Sequence, residues 1–243
     1  MNSIEKCWRD LLKTVLTYGE WRVKDDGDNI LEHIDNHCFI PNVSDSLFPT
    51  GQGFSLDLFK RLVGEGKFNV DGYPIKDIAL LSYVEQLEDD SQIYLDGESF
   101  VYTYPERLFN VKQADKTDDA VVYSNQVDVM INRLKEHSGS NRSVANLYMC
   151  SLDGLEQHIP CLNFVQALIR DNTLCLHIMF RSNDLYSAFV SNMFFIQYLG
   201  LMITEELRKE YPSLHFGGVY YNSTSLHIYK GDYEQAQKVL REG

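Results

Sequence analysis

No CxxC pair occurs in this 243-residue chain, and its cysteines (Cys7, Cys38, Cys150, Cys161 and Cys175) are odd in number with no secretory leader ahead of them. That pattern argues against a disulfide framework and reads as reduced thiols in a cytosol-like compartment, with no metal site. Basic residues are also in short supply, 22 against 35 acidic ones for a formal charge of -13. A surface of that sign repels nucleic acid, so any phosphate site must be a small local cluster of cations. Low-complexity tracts and repeat periods are absent. The N-terminal MNSIEKCWRDLLKTVL has no basic segment before an apolar block, which argues against a targeting peptide and for a cytoplasmic protein. The one long apolar stretch, Ser187 to Thr204, carries Asn192 and Gln197, so it reads as a buried core helix and not as a membrane span.

What is present is the composition of a globular chain, 44% apolar, 12% aromatic and 23% charged, long enough for a substantial core. We take residues 1–243 as a single domain. Ile4, Cys7, Trp8, Leu11, Leu12, Val15 and Leu16 recur at three-and-four spacing and predict a first helix over 3–17. WRVKDDGDN has loop composition, a strand is expected near Asn36 to Ile40, and short helices are expected at 54–64 and 76–88. SFVYTYPERLF reads as extended, 111–120 as a charged loop, and 124–137 as a helix with Val127, Met130, Ile131 and Leu134 on one face. From 143 the runs SVANLYMC, LNFVQALIR and LCLHIMFR predict neighbouring antiparallel strands, with a turn at Arg170-Asp171-Asn172-Thr173. A long helix over about 184–209, a strand region from Leu214 to Tyr229 and a closing helix from about Asp232 complete an α+β class, a mixed sheet packed against helices.

The most informative stretch is IPCLNFVQALIRDNTLCLHIMFRSNDLYSAFVSN, residues 159–192. It contains Pro160-Cys161, a strand with Gln166, the block Arg181-Ser182-Asn183-Asp184, and Asn192 eleven residues after that arginine. Upstream stand Ser140-Asn141-Arg142 and FVYTYPERL around Tyr104; downstream, SLHIY at 225–229. Taken singly, each has an ordinary explanation. Cys161 suits a buried strand cysteine, Arg181 a surface ion pair, Arg142 an exposed strand-start arginine, and Asn192 a carboxamide satisfying backbone inside a helix. Ser182, Asn183 and Asp184 make a good N-cap cluster for the long helix.

In this order and spacing, however, the motifs resemble thymidylate synthase and its relative deoxycytidylate hydroxymethylase over roughly residues 100–235. The resemblance implies a homodimer formed through the sheet, with 5,10-methylenetetrahydrofolate as cofactor and a pyrimidine nucleoside monophosphate as substrate. Cys161 would be the nucleophile: C5 of a pyrimidine is not nucleophilic until a thiolate adds to C6. Arg181 would grip the phosphate and favour the thiolate by its field, with Ser182 adding a hydroxyl. Arg142 would reach the partner subunit's phosphate, Asp184 the pterin, His227 and Tyr229 a ribose hydroxyl, and Tyr104 the C5 proton. Asn192 can accept from N3–H and donate to O4 of uracil. The phage cytosine enzymes carry Asp at the matching position, so Asn192 argues for uracil.

The chain also departs from the family pattern. Asn141 replaces the first of two adjacent arginines, Leu162 stands where a histidine usually follows the nucleophile, and Asn163 matches the hydroxymethylases. The family's early Glu-Leu-x-Trp motif is not visible, which leaves Asp57 or Glu65 as substitutes, and the longer family members have a C-terminal closing segment beyond the point where SLHIYKGDYEQA ends here. The expectation is therefore an enzyme making dTMP from dUMP, with nucleotide hydroxymethylation as the close alternative and a non-catalytic nucleotide-binding relative as another.

Overall fold

A computed structural model describes residues 3–42, 102–114 and 121–242. The helices expected at 54–64 and 76–88, together with Asp57 and Glu65, lie outside the described residues. In chain order the elements are α1 (Ser3–Tyr18), β1 (Glu20–Val23), β2 (Asn29–Pro41), α2 (Tyr104–Phe109), β3 (Val111–Ala114), β4 (Val121–Ser124), α3 (Gln126–Glu136), β5 (Val144–Asn146), α4 (Cys150–Asp153), β6 (Leu162–Arg170), β7 (Thr173–Asp184), α5 (Phe189–Leu207), β8 (His215–Tyr229), a 3-10 turn (Lys230–Asp232) and α6 (Tyr233–Glu242). The main sheet has the order β1-β2-β8-β7-β6-β5, and β3 pairs with β4 in a separate ladder. Every pairing is antiparallel except β7 with β8. This is the expected α+β class, a mixed sheet with helices against it.

Period-two alternation sets the two faces of the sheet. On β7, Leu174, Leu176, Ile178 and Phe180 are buried, and on β8 Val219 and Tyr221 are buried beside them. Against this face lie α1 and α5, with α3 packed on α5. α5 is buried nearly all round, as the core reading of 187–204 requires, and no described helix is long and apolar enough to cross a membrane. Gly200 explains how closely α5 approaches: a Cβ there would sit 2.3 Å from the ring of Phe216 on β8. α1 buries Ile4, Cys7, Trp8, Leu11, Leu12 and Val15, and the Trp8 indole donates to the Leu185 carbonyl at 2.8 Å, pinning the turn that follows β7. The opposite face is open: Phe39, Met179 and Tyr220 are each more than 40% exposed, and the His177 ring stacks on Tyr220 at 4.5 Å.

Several sequence expectations are corrected. WRVKDDGDN is the β1–β2 hairpin, and β2 begins at Asn29, ahead of the strand expected at Asn36. β1 is exposed at all four residues, so no buried alternation marks it. YPERLF is a helix, started by a reciprocal capping box between Thr103 and Glu106 with Pro105 in its first turn. The segment 111–120 begins with β3. Only Val144–Asn146 of SVANLYMC is strand. The long helix starts at Phe189, because β7 remains paired to β8 as far as Asp184↔His227. Its N-cap is Ala188, so Ser182, Asn183 and Asp184 do not cap it. Asp184 instead closes the turn before it, accepting from the N–H groups of Tyr186 and Ser187 at 3.0 Å each. The Arg170–Thr173 turn is as expected, with Asp171 and Asn172 both at positive φ (48° and 58°), the type I′ geometry of a two-residue hairpin.

Candidate active site

The parallel pair β7/β8 ends at Asp184 and Tyr229, and the hairpin turn of β1–β2 and the start of β6 converge on the same edge. Cys161 lies immediately before β6, and its carbonyl accepts from the Arg181 backbone N–H at 2.9 Å. The Arg181 side chain then folds back over it. Nε donates to the Pro160 carbonyl at 3.0 Å, Nη2 donates to the Ile159 carbonyl at 2.9 Å, and Nη2 stands 3.7 Å from the Cys161 Sγ. Asn163 donates to the same Pro160 carbonyl at 2.9 Å. The peptide carrying the thiol is thus held from both sides. Among the described residues Arg181 Nη1 has no partner, so part of its donor fork remains for a ligand.

Burial pushes the Cys161 thiol above its ordinary pKa; Arg181 and Lys24 oppose this and Asp184 adds to it. Arg181 does favour the thiolate, as expected, but burial outweighs it. The buried Tyr104 accepts from the Leu162 N–H at 3.3 Å, one residue from the thiol. On β8, His227 and Tyr229 share a face with their rings edge to face at 5.2 Å. The His227 Nδ1 is 3.3 Å from the Ser182 hydroxyl, whereas its buried Nε2 has no hydrogen-bond partner. Burial, then Lys24, then Arg181 lower the His227 pKa to about 4, so the ring is neutral at pH 7.

Lys24 escaped the sequence reading. The tight turn KDDGD, closed by Gly27 at φ 90°, projects it from the β1–β2 hairpin, and its Nζ donates to the Tyr229 hydroxyl at 3.0 Å and to Asp26 at 2.6 Å. Burial works against its charge, but these two bonds hold its pKa above the ordinary lysine value. A lysine in an acidic turn carries no signal of its own; only the pairing of β2 with β8 reveals its destination.

Asn192 is buried in the first turn of α5, and its Nδ2 donates to Asn183 Oδ1 at 3.2 Å. Asn183 follows Ser182 on β7, which ties Asn192 to the strand that carries Arg181 and Asp184. Arg142 is not part of this cluster. It is exposed, between α3 and β5, beside Arg133 and His137 in a surface pocket of about 630 Å³. Among the described residues no group of His, Cys, Asp and Glu could hold a metal, and all five cysteines are free.

A sulfur nucleophile flanked by cations, at one end of a mixed sheet and beside a neutral histidine, suits an α+β protein that presents a thiol to an anionic substrate. Sequence relatives narrow that class. The pattern of thymidylate synthase matches residues 96–242. A protein of Methanocaldococcus jannaschii named "Putative thymidylate synthase" is 31% identical over 176 residues, 70% of this chain and 72% of its own length. One of Methanothermobacter marburgensis with the same name is 24% identical over 249 residues, 100% of this chain and 97% of its own. The chain belongs to the thymidylate synthase family.

Proposed function

We propose that the protein is a homodimeric thymidylate synthase that converts dUMP to dTMP with 5,10-methylenetetrahydrofolate, through a covalent bond from Cys161 to C6 of the uracil. The observation that carries this reading is the 3.7 Å approach of the Arg181 guanidinium to the Cys161 Sγ, with an unengaged Nη1 on the same fork. A phosphate on Nη1 and on the Ser182 hydroxyl would bring the base over the thiol. Lys24 supplies a second positive charge to the same region.

In the proposed reaction Cys161 loses its proton and its sulfur bonds to C6. The C5–C6 electron pair moves toward O4, and the resulting enolate makes C5 a nucleophile. The folate supplies the electrophilic carbon and, for a methyl product, the hydride. Asn192 accepts from N3–H and donates to the developing O4 charge. His227 Nε2, buried and without a partner, matches a ribose hydroxyl. Tyr104, held one residue from the thiol, receives the role at the C5 proton. Asp184 fits a folate by chemistry: a carboxylate accepts from pterin N–H groups, and this one is close enough to influence Cys161.

The dimer forms across the open sheet face. Phe39, Met179 and Tyr220 supply exposed apolar area there, and Gln166 donates from that face to the Asn141 carbonyl at 2.8 Å, setting Arg142 at its border to reach the partner. Hydroxymethyl transfer is the second reading. It is favoured by Asn163, which occupies itself with the Pro160 carbonyl and resembles the hydroxymethylase residue. Incubation with 5,10-methylenetetrahydrofolate and dUMP, dCMP, UMP or CMP, with products resolved by mass, tests both. A methylated dUMP supports the first reading, and a hydroxymethylated product replaces it with the second. Nucleotide binding without any product refutes catalysis. Cys161→Ser should abolish turnover and keep binding; retained turnover excludes the covalent step.

A further inference from the structure

A carboxamide distinguishes uracil from cytosine only if it cannot turn over, since exchanging its oxygen and nitrogen exchanges acceptor for donor. The structure contains a chain of polar groups that bears on this. Asn192 Nδ2 donates to Asn183 Oδ1 at 3.2 Å, and Asn183 Nδ2 donates to the Tyr221 hydroxyl at 3.1 Å. The Tyr221 hydroxyl is also bonded to Ser223, whose own hydroxyl donates to the Ser225 carbonyl at 2.8 Å. Asn183, Asn192, Tyr221 and Ser223 are all buried.

The direction of this chain follows from its last member. A backbone carbonyl can only accept, so the Ser223 proton is committed to Ser225. Ser223 Oγ must then accept, and Tyr221 must be its donor. With its proton spent, Tyr221 offers only lone pairs to Asn183, which therefore turns its Nδ2 toward the ring. The Asn183 oxygen is left facing Asn192, which must answer with Nδ2. Reversing Asn192 would set two oxygens against each other, and reversing Asn183 as well would only move that conflict to Tyr221. No water is available to relieve it in a buried chain.

We propose that Asn183, Tyr221 and Ser223 are positioning residues that lock the Asn192 carboxamide in the uracil-reading orientation, with Oδ1 and its second N–H left for the base. This rests on the reading of Asn192 as the group that meets the base. Tyr221 and Ser223 are on β8, and Asn183 and Asn192 on β7 and α5, so selectivity would be set from three elements.

The test compares dUMP and dCMP binding by calorimetry in the wild type, Tyr221→Phe and Ser223→Ala. Tyr221→Phe removes the acceptor that orients Asn183, and Ser223→Ala frees the Tyr221 proton to turn toward Asn183. The preference for dUMP should fall about tenfold or more in Tyr221→Phe, the size of effect expected from one buried hydrogen bond, through tighter dCMP binding as well as weaker dUMP binding. A variant that loses affinity for both nucleotides equally, with the ratio unchanged, overturns the proposal and reduces Tyr221 to a packing residue. A wild type without preference for dUMP overturns the Asn192 reading beneath it. Should Tyr221→Phe fail to fold, Ser223→Ala decides on the same ratio.

Discussion

At Cys161 burial and charge pull in opposite directions, and burial is the stronger. The thiolate fraction of the free protein should therefore still be rising at pH 9.0, the ordinary midpoint, and alkylation by iodoacetamide should rise with it. Arg181→Ala removes the nearest opposing cation, so the midpoint should move further up, and alkylation at pH 8 should slow roughly tenfold for each pH unit it moves. An unchanged or faster rate would show that Arg181 does not act on the sulfur. His227 gives the second dependence on pH. Its folded pKa of about 4 lies below the ordinary 6.5, so the unfolded chain takes the proton first. Stability present above pH 6.5 should be lost as pH falls toward about 4, by about 3 kcal/mol in total. Urea unfolding across that range should give this slope in the wild type and a flatter one in His227→Asn. Cys161, Arg181, Ser182 and His227 were legible because their spacing matches a family pattern in which each residue type performs distinct chemistry. Lys24 was not, since its charge is indistinguishable from that of a solvated turn until Tyr229, 205 residues later, is folded beside it.

Among the elements, α2 and α4 are short, and one buried ion pair joins them. Arg107 Nη2 donates to Asp153 Oδ1 at 2.7 Å, and Asp153 Oδ2 accepts from the Met149 N–H at 2.7 Å. The pair fixes α2, from which Tyr104 reaches the Leu162 N–H beside the nucleophile. Removing Arg107 alone leaves a buried carboxylate without its cation, so Arg107→Met should cost about 3–5 kcal/mol in chemical unfolding. Replacing both partners with apolar residues should restore much of that loss. Equal losses from the single and double changes would mean that packing, not the pair, accounts for the effect. Element type was readable from sequence where a strong period or a turn motif existed, as in α1, α3, β6 and β7. It failed where tertiary pairing decided the matter. β1 has no buried face, and the start of α5 was delayed because the β7–β8 ladder outlasts the point where Ser182-Asn183-Asp184 first looks like a cap.

For the whole molecule, the open sheet face connects architecture to assembly. Charges placed there, as in Met179→Lys with Tyr220→Glu, should convert a dimer to a monomer in analytical ultracentrifugation and leave the far-ultraviolet spectrum intact. A wild type that sediments as a monomer at micromolar concentration would exclude this face as a stable interface. The α+β class was readable from the sequence, but the strand order β1-β2-β8-β7-β6-β5 was not, because no local pattern records that the second strand pairs with the last. That pairing also orders events during folding. β2 is one of the first elements to be made, yet its long edge can be filled only when β8 arrives near the end of the chain. Closing so large a loop is slow compared with local hairpin formation, so β6–β7 can form early while β1–β2 waits with one edge exposed. Lys24, carried by the waiting hairpin, is then among the last charges to reach the thiol, and alkylation during refolding should find Cys161 exposed before that hairpin docks.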